Sequence, residues 1–225
     1  VGVGVCCEEK KAWYIPCNGK LGREYVLKVL KPFFEDEKNQ FYGHNVKYDL
    51  HVLYNNGIEV RNVCFDTIIA SYLLHAHSHR HSLDTLALNY FGKVKIPLKD
   101  LIGVGKKKIT MAEVPIEKVT EYCCEDADYT CRLKTSLELE LKERKLEKLL
   151  YDVELPLMHV LRVMERCGIY LDAPHLEKMS KTCVKKIEEV EKEIFELVGE
   201  TFNINSPKQL SHILFEKMNL PASKK

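Results

Sequence analysis

Between residues 1 and 92, short β-favouring runs alternate with stretches whose apolar residues repeat at helical spacing. No other feature constrains the fold as much. Val1–Cys7 and Ala12–Ile15 read as two strands joined by the charged turn Glu8-Glu9-Lys10-Lys11, and Pro16, Asn18 and Gly19 end the second. Gly22–Phe34 places Tyr25, Val26, Val29, Leu30 and Phe33 at helical spacing, with Pro32 distorting the end. Gln40–Gly43 and Ile58–Phe65 are further strands, each followed by a helix. Asn45 is placed to cap the first of these helices, which puts Val46, Leu50, Leu53 and Tyr54 on one face and stops at Asn56-Gly57. Asp66 caps the second, Thr67–His75, and Ser82 caps a third that Gly92 terminates. Strands and helices alternating in this way predict a mixed α/β sheet protein.

Pro115 then opens a long helical tract with many acids, Glu117, Glu125 and Glu138 among them, which breaks where charge dominates at Lys142–Lys148. We place a domain boundary there, between an α/β region, 1–142, and a helical region, 143–225. Tyr151–Cys167 and Ala173–Gly199 are helices separated only by Gly168–Asp172, the second laced with Lys and Glu like a solvated helix. Ser206-Pro207 is an N-cap followed by proline at the first helical position, and Leu220–Lys225 reads as a linker cut short. A formal net charge of +1 leaves no bulk attraction for nucleic acid, so any such binding must use a local patch. No apolar run approaches the roughly 18 residues of a membrane span, so no membrane partner is expected. Nine cysteines without a C-x2-C pair fit small buried residues in a reducing cytoplasm. The opening Val1-Gly2-Val3-Gly4-Val5 reads as the inside of a strand of something longer.

The residues that carry chemistry are few. Asp49 lies early in its helix, near the carboxyl end of the strand before it, where sites form in open α/β sheets. Tyr122 and Asp126 stand four apart on a helix and share a face. A carboxylate binds a hard divalent cation, and a neighbouring phenol can orient an attacking water. Asp128 points off that face and reads as a surface charge. His75, His77, His79 and His81 alternate, which on an extended segment would put them on one side to collect zinc or nickel. They fall between two helices, which argues against a physiological metal site. Gly103-Val104-Gly105-Lys106-Lys107-Lys108 is not a phosphate loop, because Asp100 replaces its first glycine and Lys107 its Ser/Thr.

The order N-x3-D (Asn45, Asp49), then Y-x3-D (Tyr122, Asp126), resembles the second and third motifs of proofreading 3′–5′ exonucleases. Phe41–Asp49, Phe65-Asp66-Thr67, Arg80–Asp84 and Tyr122–Thr130 further resemble the exonuclease domain of the bacterial family A (DNA polymerase I) enzymes. Ile204–Leu210 and Ile213–Lys217 resemble the opening of their polymerase domain, at the thumb. The resemblance implies a ribonuclease H-like exonuclease fold over 1–142, without its first strand, followed by thumb helices over 143–225. It implies that Asp49 and Asp126 bind metal, Mg2+ or Mn2+ in a two-metal site, and that Tyr122 positions the attacking water. Asn45 and Arg80 would lie at a single-stranded DNA 3′ end. The implied partners are DNA and the remainder of a polymerase polypeptide, in the cytoplasm of a bacterium at its nucleoid. His44 stands where relatives often carry glutamine, and Leu98 falls where they can carry an aromatic. The family's first motif, D-x-E, is expected before Val1. Metal binding by these residues alone should then be weak, hydrolysis nearly absent, and sheet edges open to self-association. The alternative is a scaffold domain of the same fold that binds DNA without catalysis. A separate trimming exonuclease would not account for the thumb-like residues.

Overall fold

A single long helix is the spine on which the first part of the protein is built. The structure, a computed structural model, describes residues 1–221, with only the backbone of Lys107; the rest of the expected linker, Ala222–Lys225, lies outside the described residues. Strands β1 (Gly2–Glu8) and β2 (Lys11–Pro16) form an antiparallel hairpin. Helix α1 (Arg23–Glu35) runs through Pro32 and leads to β3 (Phe41–Gly43) and α2 (Val46–Tyr54). Strand β4 (Val63–Asp66) leads directly into α3 (Thr67–Leu74), followed by α4 (Leu83–Phe91) and α5 (Leu98–Ile102). The spine is α6 (Ile116–Glu143), which packs against β1, β2, β3, α3 and α4.

The α6 sequence explains this position. Leu133, Leu137 and Leu141 recur every fourth residue, form one stripe, and are essentially inaccessible. They join Leu50, Phe65 and Leu150 in one core, each worth about 1.5–3 kcal/mol by its removal from water. The helix ends in a turn at Arg144-Lys145, with Lys145 at φ 59°. Beyond it α7 (Glu147–Leu149) passes through a π-helical turn, Leu150–Glu154, into α8 (Leu155–Cys167). Leu150, Leu155 and Met158 are buried in the α6 core. The first compact unit therefore runs to Cys167 and takes in the expected 142/143 junction.

The sheet differs from the sequence expectation. Among the described residues it consists of two separate pairs, β1 with β2 and β3 parallel to β4, so each strand keeps one unpaired edge there. The strand expected over Ile58–Phe65 shortens to Val63–Asp66: Ile58 and Val60 bury their side chains in the core without a strand partner. The cysteines also differ, since only Cys131 is buried, and Cys7, Cys167 and Cys183 are exposed.

In the second unit, from Gly168, α9 (Ala173–Val198) begins where the Asp172 carboxylate accepts the His175 N–H at 2.9 Å and ends at Gly199 in the left-handed region. Lys181–Glu177 and Lys185–Glu189 pair along it, while Met179, Val184, Ile187 and Val190 are exposed. Ser206 caps α10 (Pro207–Ser211) as its sequence predicts.

Candidate active site

Asp66 sets the geometry. It is 1 % exposed at the carboxyl end of β4, opposite Gly43 at the end of β3. Its Oδ1 accepts the Ile68 N–H at 2.9 Å and so caps α3, as expected. The same carboxylate accepts the Asn45 N–H at 3.1 Å and, through Oδ2, the Val46 N–H at 2.8 Å. Asn45 occupies the N-cap position of α2 at φ 62° but makes no capping bond with its own side chain. The cap inferred for Asn45 is thus supplied by Asp66, because the left-handed backbone turns the two N–H groups of the α2 terminus toward that buried acceptor. One carboxylate joins two helix starts and fixes α2, the helix that carries Asp49. On its other side α2 is held by Lys47 and His51, which both pair with Glu165 of α8, His51 at 2.8 Å.

Asp49 as a residue is exposed, yet its carboxyl is pushed up to about 6, first by burial among protein atoms and then by the Asp66 charge, against a backbone hydrogen bond that lowers it. Cys123 lies within the influence of both expected metal carboxylates. Burial pushes its thiol up to about 11, with the charges of Asp126, Cys124 and Asp49 adding to it. The approach of β1 to α6 at this point depends on Gly4, where a Cβ would lie 2.5 Å from Cys123 Sγ.

Asp126 has a partner that no motif announced. Its Oδ1 is shielded from solvent and meets the Lys95 ammonium in an ion pair without a directed hydrogen bond. Lys95 is buried, bonds Asp84 Oδ1 at 3.0 Å, and lies 5.2 Å from the centre of the Tyr122 ring. The next residue anchors this loop, Ile96 N–H donating to Glu125 Oε2 at 2.8 Å. Burial alone would lower the Lys95 pKa, but Asp126 and Asp84 outweigh it and keep the ammonium charged. The Asp126 carboxyl is raised, by burial first, against the opposing pull of Lys95. Tyr122 is held above the ordinary phenol value by burial and then by Asp126, so it stays protonated at neutral pH. His44, bonded to Thr67 Oγ1 at 2.8 Å, is lowered to about 4 by burial and then by Lys95. The signals for this group were thin: a lysine within the apolar run Val94–Ile96, and Asp84 inside the Arg80–Asp84 signature.

The expected DNA residues do not gather at this point. Arg80 lines an open concavity of about 400 Å3 with His75, His77, His81 and Tyr90, while Asn45 lines another, of about 200 Å3, with Lys47 and Leu157. The histidines take different partners, because the chain turns after α3. His75 meets the Tyr90 hydroxyl at 3.2 Å, and His81 meets Ser71 Oγ at 2.9 Å. Asp128 is no free surface charge. It accepts the Lys10 N–H of the β-hairpin turn and pairs with Arg132 at 3.6 Å.

Asp49 and Asp126 are hard oxygen donors of the kind a divalent ion takes, although Asp126 Oδ1 is held by the Lys95 ammonium. They supply two ligands and no more: among the described residues no three His, Cys, Asp or Glu side chains converge on one ion.

Two family models cover most of the chain. The one described as 3′-5′ exonuclease matches residues 1–142, and the one described as DNA polymerase family A matches residues 173–225. The chain belongs to the 3′–5′ exonuclease family attached to family A DNA polymerases. More particularly, it is similar to DNA polymerase I over its whole length. It is 38% identical to that of Pseudomonas aeruginosa over 235 residues, covering 100% of this chain and 26% of the relative. It is also 38% identical to that of Borreliella burgdorferi over 229 residues, covering 100% and 25%. The chain thus spans about a quarter of the length of these relatives. Among solved structures it resembles the POL domain of Pol1 from M. smegmatis in complex with DNA primer-template and dNTP. The TM-score is 0.67 at 25% identity, over 96% of this chain and 34% of that one.

Proposed function

We propose that residues 1–142 are the proofreading exonuclease domain of a DNA polymerase I, of ribonuclease H-like fold, and that residues 143–225 begin its thumb. The domain removes nucleotides from the 3′ end of single-stranded DNA in the bacterial cytoplasm. The observation that carries this reading is the meeting of Tyr122 and Asp126 on one face of α6, beside Cys123, within a chain matched by the exonuclease family over 142 residues. Asp49 and Asp126 would hold Mg2+ or Mn2+, which stabilises charge developing at the scissile phosphate. Tyr122, protonated at neutral pH, orients the attacking water and does not take its proton. Asn45 and Arg80 bind the strand, the arginine through phosphate. The remainder of the polymerase polypeptide is the structural partner, and the free edges of the two sheets favour self-association when it is absent.

Two carboxylates alone hold a divalent ion weakly, so hydrolysis depends on further ligands to the metal. The test is nucleotide release from 3′-labelled single-stranded DNA with Mg2+ or Mn2+, using this chain and a version extended upstream. In the extended protein, Asp126→Ala should lose on the order of 100-fold or more of the rate. Activity there that is indifferent to Asp126→Ala would refute the assignment. A second reading, a scaffold that binds DNA without cutting it, is favoured by the pairing of Asp126 with Lys95. It predicts no release in either form.

A further inference from the structure

The geometry points to Lys95 as a built-in competitor for the divalent cation at Asp126: its ammonium holds that carboxylate in the metal-free protein, and Asp84 receives it when metal binds. The inference rests on the exonuclease reading of Asp126 and assigns a role to a residue outside its motifs.

Three observations carry it. The Lys95 side chain is 2 % exposed, so its ammonium depends on protein partners, and the two it has are Asp84 and Asp126. The contact with Asp126 falls on Oδ1, which is shielded from solvent, so the ammonium occupies an oxygen for which a cation would compete. The two partners also differ in their surroundings. The Asp84 side chain is 69 % exposed against 31 % for Asp126, and its bond to Lys95 is well formed at 3.0 Å. An ammonium displaced from Asp126 therefore keeps a hydrated carboxylate and is not stranded in the interior.

The loop geometry allows this exchange. Ile96 is tied to Glu125 through its backbone N–H, so the backbone at Lys95 is held beside α6 and the exchange needs only rotation of the four-carbon side chain toward Asp84, which it already bonds. Asp84 sits in the first turn of α4, where Ser82 caps the helix, so the backbone that carries the receiving carboxylate is fixed as well. The ammonium and a divalent ion cannot share Oδ1, since like charges at such separation repel strongly in a shielded site. Lys95 thus sets the metal concentration at which Asp126 becomes a ligand, acting as a positioning residue.

The test is Mn2+ binding to the whole chain, followed by the loss of the free-ion EPR signal, with DNA and catalysis left out. Lys95→Met, close in shape and uncharged, should bind Mn2+ more tightly by on the order of ten-fold or more. Adding Asp126→Asn to Lys95→Met should remove that gain, and Lys95→Arg, which keeps the charge, should retain the wild-type affinity. Thermal unfolding of each variant without metal separates the alternative, in which Lys95 only braces the fold. That alternative predicts a lower melting temperature for Lys95→Met with Mn2+ affinity unchanged. Unchanged affinity, or no Mn2+ bound by either form, overturns the inference. Nuclease activity in the extended protein together with unchanged affinity would remove the role of Lys95 and keep the exonuclease reading. Tighter Mn2+ binding without nuclease activity in any form would do the reverse.

Discussion

Replacing Asp66 with alanine tests the organisation of the site at its root, because one carboxylate serves two helix starts. Three backbone N–H groups lose their acceptor: Asn45 and Val46 at α2, and Ile68 at α3. Asn45 is exposed and its N–H can turn to water, so that loss is that of an ordinary cap, about 1 kcal/mol. Ile68 is half-buried and loses a similar amount. Val46 is buried, and its orphaned N–H costs about 1–3 kcal/mol. Part of this sum of about 3–5 kcal/mol is recovered, because burial raises the Asp66 pKa and removing the carboxylate relieves that penalty. The net expectation is a loss of about 2–4 kcal/mol, or a fall in melting temperature of roughly 5–15 °C. Asp66→Asn keeps one oxygen for the Asn45 and Ile68 pair but turns an NH2 toward Val46 N–H, so its loss should be smaller than that of alanine and still above about 1 kcal/mol. Urea unfolding at unchanged m-value measures both, and amide exchange should rise first at Val46–Leu50. An Asp66→Ala protein within about 0.5 kcal/mol of wild type would refute the two-helix cap.

The remaining predictions concern the surroundings of the site. His44 is kept neutral in the fold, its pKa lowered from 6.5 to about 4. Its contribution is therefore complete above about pH 6.5 and is lost as the pH falls toward and through about 4. That difference corresponds to roughly 3 kcal/mol, so His44→Gln should flatten the stability profile over this window, and an unaltered profile would refute the assignment. Gly4→Val should force β1 away from Cys123 and cost about 1–3 kcal/mol in a urea melt; wild-type stability would mean that the hairpin does not press on α6.

Much of the fold was legible because it is local. Helical spacing located α1 and α6, Ser82 and Ser206 announced their caps, and Gly92 marked the end of α4. The family was legible as well, because Asn45, Asp49, Tyr122 and Asp126 stand in order at characteristic spacing, and the family models bear it out. Single side chains were less so. The period of four that places Tyr122 over Asp126 also placed Asp128 off that face, but could not tell that the β-hairpin would lie there and use it.

The sequence by itself determined the alternation of strands and helices, the long α6 and the shared face of Tyr122 and Asp126 on it, since these follow from backbone preference and from helical periodicity within a few turns. Only the tertiary structure decided that Asp66 caps α2 from 20 residues away, that the sheet forms two separate pairs, and that Lys95 holds Asp126. Each of these depends on what a buried polar or charged group finds opposite it once the chain has packed. The need for a partner is written in the residue type, and its identity is set by the fold.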